Sequence, residues 1–229
     1  MEQQVVREYI YGKKNFVFLG EAGSGKTEVS INIALAMAKL SNRPVHYFDM
    51  DQTKPLFRAR DAVETLAKAG ITLHFQDQIL DSPTVATGVI EALSDPEPYV
   101  IMDVGGGANG SHMIGQFAKV LALTDADILY LFNPYRPWSG NKDDIGETMR
   151  RVLNTARLSK INLVGNPNYG VRTKPEDIVE GMRIIHEMFP QTPVSFVAVL
   201  ARLCDEVIGQ IQEPLLPIEL FTLPPWMLK

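Results

Sequence analysis

The sequence predicts an α/β protein with a doubly wound, mostly parallel sheet in a three-layer α/β/α arrangement. Three observations carry that prediction. Short apolar runs alternate with helical patterns along the whole chain. Most of the runs are bounded by polar or turn residues, as suits strands covered on both faces. The first run, Asn15-Phe16-Val17-Phe18-Leu19, passes through a glycine-rich turn into an apolar-periodic segment, Val29 to Leu40. Repeated strand–helix units of this kind argue for an open parallel sheet.

Taken in order, the expected strands are Phe16–Leu19, Val45–Phe48, Thr72–Phe75, Tyr99–Asp103, Ile128–Phe132, Ile161–Val164 and Ser195–Leu200. The helices between them are expected at Thr27–Leu40, Leu56–Ala69, Thr84–Leu93, Ser111–Leu123, Asp143–Leu158, Glu176–Met188 and Cys204–Gln212. Ser82-Pro83 reads as a cap followed by proline at a first helical position, and Pro175 with Glu176 and Asp177 reads as a helix start. Gly70 ends the second helix. No repeat, low-complexity segment or linker divides the sequence, so residues 1–229 are expected to form a single domain. At about 213–229 the chain becomes apolar and rich in proline, and prolines exclude a regular membrane-binding helix there. That stretch is either a tail laid over the body or a partner-binding segment.

Composition narrows the partners. The hydrophobic share of 45% is that of an ordinary globular protein, and a net charge of −5 without a basic run disfavours nucleic acid. Cys204 is the single cysteine, which excludes an internal disulfide and a thiolate metal cluster within one chain. It reads as a core or interface residue. Met1 to Arg7 lack a signal-peptide core and no apolar run approaches a membrane span. A cytoplasmic protein without stable membrane insertion is expected.

The turn after the first strand reads Gly20-Glu21-Ala22-Gly23-Ser24-Gly25-Lys26-Thr27, with Glu28 following. Glycines let backbone N–H groups converge on phosphate oxygens, and the following helix directs its unpaired N–H groups and positive end at the same anion. Lys26 adds a mobile charge for the β- and γ-phosphates, and Thr27 a hydroxyl for Mg²⁺. This is a Walker A P-loop in its required strand–loop–helix setting, and it implies a nucleoside triphosphate with Mg²⁺.

Ligands of open α/β sheets sit at the carboxyl ends of the strands, so polar residues there are informative. Asp103 closes one strand and precedes Gly105-Gly106-Gly107. It suits the Mg²⁺ shell, with the glycines as a loop that changes shape with the γ-phosphate. Asp49 and Asp51 end the second strand at spacing two and should point to one side. One would face Mg²⁺ and the attacking water while the other anchors the loop. Asn166 and Asn168 end a later strand around Pro167. They suit either a purine edge or turn chemistry.

Together these motifs resemble the MinD/ParA-type P-loop ATPases of the SIMIBI class, related to the deviant Walker A proteins. The similarity runs to roughly Pro214, where Arg202-Leu203-Cys204-Asp205 and Glu213-Pro214-Leu215 look like that group's closing segment. The resemblance implies that Lys26 holds phosphates, that Thr27 and Asp103 hold Mg²⁺ directly or through water, and that Asp51 positions or activates water. Asn166 and Arg202 would lie by the base. Asp49 and Asp51 would belong to a first switch, and Asp103, Gly105 and Gly106 to a second. It also implies a homodimer enclosing nucleotide. Glu21 stands where many members carry a second lysine, which weakens that mode of hydrolysis.

The remaining candidates are less connected. His46, His74, His112 and His186 show no ligand spacing. The Pro134–Gly140 loop, aromatic and basic, either contacts a partner or second substrate or is structural. Arg58 and Arg60 could face phosphate or a partner. The expected function is a slow Mg²⁺-ATPase acting as a switch on a protein partner, with ATP preferred over GTP because the guanine-reading lysine and distal acid are missing after Asn166. The alternatives are a small-molecule kinase or ATP-dependent ligase, or a nucleotide-binding module without turnover.

Overall fold

Strands form where the apolar runs predict them, and one more forms where proline hid it. The computed structural model describes residues 12–51, 62–75, 88–124, 126–137, 142–158 and 160–222. In chain order the elements are β1 (Asn15–Leu19), α1 (Lys26–Leu40), β2 (Val45–Met50), α2 (Val63–Lys68), β3 (Ile71–His74) and α3 (Val89–Ser94). Then come β4 (Tyr99–Val104), α4 (Gly107–Gly115), α5 (Ala118–Leu123), β5 (Asp127–Phe132), α6 (Lys142–Ala156) and β6 (Asn162–Gly165). The chain continues through α7 (Pro175–Met188), β7 (Val194–Leu200), α8 (Cys204–Val207) and β8 (Leu215–Ile218).

Among the described residues the strands make one sheet in the order β3-β2-β4-β1-β5-β6-β7-β8, and every pairing is parallel. Successive side chains along each strand alternate between two cores. Val17, Leu19, Phe48, Val100, Met102 and Tyr130 face the layer that includes α4 and α7, where Ile114, Met182 and Ile185 are buried. Phe16, Phe18, Tyr47, Ile101, Leu129 and Leu131 face α1, whose Val29, Ile31, Ile33 and Met37 are buried. Each such side chain removed from water contributes about 1.5–3 kcal/mol, which is why the sheet is sandwiched and not one-sided.

Several expectations need correction. The helix expected at Ser111–Leu123 is two helices. The amides of Gln116 and Phe117 bond to Met113 and Ile114, three residues back, tightening the chain so that Phe117 drops into the core. The first of the pair starts at Gly107, inside the glycine run. The helix expected at Cys204–Gln212 stops at Val207, because Gly209 takes φ 84° and the chain turns into a short bridge between Ile208 and Ile211. The tail contains strand β8, with Pro217 accepted because β8 is an edge strand. Of the helices expected at Leu56–Ala69 and Thr84–Leu93, only Val63–Lys68 and Val89–Ser94 are described. Residues 56–61, with Arg58 and Arg60, and residues 82–87, 138–140 and 223–229 lie outside the described residues.

Candidate functional site

The turn between β1 and α1 lies at the carboxyl edge of the sheet, flanked by the ends of β4 and β5. Gly25 caps α1 at φ 93°, and a Cβ there would lie 2.1 Å from Asn166 Nδ2. Only glycine fits both that backbone angle and that space. Lys26 is buried at 2% exposure, and its ammonium donates to the Glu21 carbonyl at 3.0 Å. The loop thus curls around its own lysine. The hydroxyl of Ser24 is buried there with no hydrogen-bond partner among the described residues.

Alternation along the strands brings the acids to this turn. Asp49 and Asp103 are register partners on β2 and β4, on the sheet face that carries α1. Both are buried, as is Asp51 just beyond β2. Thr27 Oγ1 donates to Asp103 Oδ2 at 2.6 Å. The Asp51 amide donates to Asp49 Oδ1 at 3.0 Å, so Asp49 holds the chain at the point where Asp51 leaves the strand. Below them Tyr47 shares a 2.6 Å hydrogen bond with Ser30, and burial, then the nearby Asp103 carboxylate, hold its hydroxyl well above the ordinary tyrosine range. The second glycine loop closes against the first. A Cβ on Gly106 would sit 2.7 Å from the Ala22 amide nitrogen, and one on Gly105 would sit 3.1 Å from Asp51 Oδ1.

These residues fit a magnesium ion. A hydroxyl and carboxylates of hard oxygen character meet beside a lysine at the start of a helix. Mg²⁺ asks for a few such oxygens plus water and phosphate, not an all-protein cage. The described residues contain no group of three or more His, Cys, Asp or Glu that could hold a metal ion.

The residues expected near a base are brought together, but their polar groups serve the loop itself. Asn166 Nδ2 donates to the Ser24 carbonyl at 2.7 Å, bracing the P-loop from β6, while its Oδ1 is buried without a partner. Asn168 donates to the Asn166 carbonyl and accepts from the Gly170 amide, so it shapes the turn. Arg202 donates to the carbonyls of Val171 and Thr173 at 2.9 and 3.0 Å. A narrow cavity of about 40 Å³ lies beside these residues, bordered by Gly25, Glu28, Pro167 and Leu200. Glu28, expected at the nucleotide, instead accepts bonds from the amides of Phe221 and Thr222 and from the Thr222 hydroxyl. It anchors the C-terminal segment to α1.

Arg136, the basic residue of the Pro134–Gly140 loop, meets the P-loop itself. Its Nε donates to the Gly23 carbonyl at 2.7 Å. The available signal was positional, since the loop after β5 must open beside the P-loop if β5 neighbours β1. His46 and His74, in contrast, meet on the opposite face of the sheet, that of Phe48, 2.8 Å apart between ring nitrogens and with the His74 ring stacked on Phe48. The Cys204 thiol is buried, and burial, with Asp205 adding to it, pushes it up to about 11, the setting of an inert core residue.

No family model and no curated protein matches the sequence. Solved structures do. The chain is similar to the cell division protein FtsY from Thermotoga maritima, with a TM-score of 0.56 at 14% identity over 82% of this chain and 62% of that one. It is similar to the signal recognition particle receptor FtsY from Elizabethkingia anophelis, with a TM-score of 0.55 at 18% identity over 87% of this chain and 60% of that one. A structure of that receptor in complex with GDP gives 0.54 at 16% identity over 82% of this chain and 57% of that one. The chain thus spans about three-fifths of the length of these structures. The likeness is one of fold: a doubly wound parallel sheet between two helical layers, with a phosphate-loop turn after its first strand. Among the described residues no helix is long and apolar enough to cross a membrane.

Proposed function

We propose that this protein is a Mg²⁺-dependent nucleotide-binding switch with slow ATPase activity. The observation that supports it most is the 2.6 Å contact of Thr27 with Asp103 beside a buried Lys26 at the start of α1. That contact joins the phosphate loop to the strand end from which the second glycine loop departs.

In this reading the loop N–H groups from Gly20 to Thr27 cradle the phosphates, and Lys26 leaves the Glu21 carbonyl for the β- and γ-phosphate oxygens. Thr27 and Asp103 would hold the magnesium ion, with Asp51 beside them, and the ion would neutralise charge on the phosphates. Asp51 orients the attacking water, and Asp49 fixes Asp51. The Gly105–Gly106 contacts with Ala22 and Asp51 are the ones a γ-phosphate would rearrange, so the loops after Asp51 and Asp103 report nucleotide state to a protein partner. Asn166, Asn168 and Arg202 form the rim along which the base lies. ATP is the proposed nucleotide, since Pro167, Asn168 and Tyr169 follow Asn166 in place of a lysine and distal acid.

The test is calorimetry with ATP and with GTP, each with and without MgCl₂, followed by phosphate release from the purified protein alone. ATP binding strengthened by magnesium, abolished in Lys26→Ala, and slow phosphate release are expected. Absence of heat with every nucleotide would sink the reading. Tighter GTP would overturn the base assignment, and phosphate release that requires a metabolite extract would favour a transferase.

A further inference from the structure

The loop after β5 carries Arg136 on a framework of hydrogen bonds and a stacked tyrosine pair. The Arg136 amide bonds back to the Asn133 carbonyl at 3.3 Å, closing a four-residue turn with Pro134 at its second position. Asn133 ties that turn to the neighbouring strand end, its Nδ2 donating to the Asn168 carbonyl at 3.0 Å. Tyr135 stacks on Tyr169 with ring centroids 4.3 Å apart, and its hydroxyl donates to the Asp177 carbonyl. Between these anchors the guanidinium lies against Gly23. Besides the Nε bond to the Gly23 carbonyl, a Cβ built on Gly23 would meet Nε at 3.3 Å and Cζ at 3.5 Å.

Asp49, Asp51 and Asp103 are buried at the site, Glu21 stands in the loop, and Lys26 is the loop's own cation. No carboxylate partners Arg136 among the described residues. An arginine braced beside a phosphate loop, with one N–H on the loop and a planar fork left over, matches the geometry by which guanidinium recognises phosphate oxygens.

We infer that Arg136 is a second phosphate-binding cation, supplied in cis, that contacts the bound triphosphate while its Nε keeps the loop in shape. This rests on the nucleotide reading above. The charge of Arg136 would hold the triphosphate from the β5 side, opposite the Asp51 and Asp103 loops.

The experiment compares ATP·Mg²⁺ dissociation constants for the wild-type protein, Arg136→Gln and Arg136→Lys, with melting temperatures to confirm folding. Gln retains an N–H donor for the Gly23 carbonyl and loses the charge, whereas Lys retains the charge. Arg136→Gln is expected to weaken ATP by roughly tenfold or more, the scale of a lost charge-assisted hydrogen bond, and Arg136→Lys by clearly less. Wild-type affinity in Arg136→Gln overturns the inference and leaves the nucleotide reading standing. Equal weakening in Gln and Lys also overturns it, because a lost loop brace explains both. A wild-type protein that binds no nucleotide removes both proposals at once.

Discussion

Asn166 and Ser24, 142 residues apart in sequence, are joined by a buried 2.7 Å hydrogen bond from the asparagine amide to the loop carbonyl. The end of β6 therefore sets the shape of the turn before α1, two strands away in the sheet. Asn166→Ala should leave the Ser24 carbonyl without that donor, costing about 1–3 kcal/mol in stability. Nucleotide affinity should fall with it, because the cradle loses its support. Denaturant midpoints and calorimetry on the same variant would check this. Unchanged affinity would show that the loop shapes itself.

Gly25→Ala tests the same contact from the other side. An alanine would be forced to φ 93° with its methyl 2.1 Å from Asn166 Nδ2. The left-handed backbone alone costs about 1–2 kcal/mol. The clash should displace Asn166 as well. A variant as stable as the wild type and still able to bind nucleotide would contradict the geometry.

Thr27→Ala should separate nucleotide binding from magnesium. The substitution removes the hydroxyl that bonds Asp103, leaving Lys26 and the loop amides in place. Residual ATP binding that no longer tightens with MgCl₂ is expected. An undiminished magnesium effect would place the ion elsewhere.

Glu28→Gln addresses the C-terminal segment. The Glu28 carboxylate accepts three hydrogen bonds from Phe221 and Thr222, and Asn32 exchanges two more with Glu219. Hydrogen bonds to a charged group contribute about 1.5–3 kcal/mol, and neutralising the acceptor removes part of that. Faster amide exchange at 219–222, with the sheet amides unaffected, is the expected result. Exchange unchanged at those positions would mean that apolar packing holds the segment.

His74 predicts an acid-side sensitivity. Burial, and then the neighbouring His46, hold its imidazole below the ordinary value of 6.5. A base with a lowered folded pKa binds fewer protons in the folded than in the unfolded state, so stability is present above the unfolded value and declines as pH falls through the folded one. Thermal melting between about pH 7 and 5 should show that decline, and His74→Gln should flatten it. An identical slope in the variant would assign the effect to other groups.

What could be read along the chain was whatever depends on neighbours in sequence. The strand–glycine–helix order, the lysine and threonine that follow it, and the acid at the end of β4 are local patterns, and backbone preference and side-chain alternation act over a few residues. The same locality explains the errors. Proline in Leu215–Ile218 masked a strand that an edge position tolerates, and nothing between Ser111 and Leu123 announced that the helix would break to bury Phe117. Other assignments waited on the order in which strands assemble, because that order sets which loop ends meet. It placed Arg136 on Gly23, turned Asn166 toward the loop carbonyl and joined Glu28 to Thr222, 194 residues further along. Residue type at those positions was visible from the start, but the partner was not, since a hydrogen bond is chosen by distance in space.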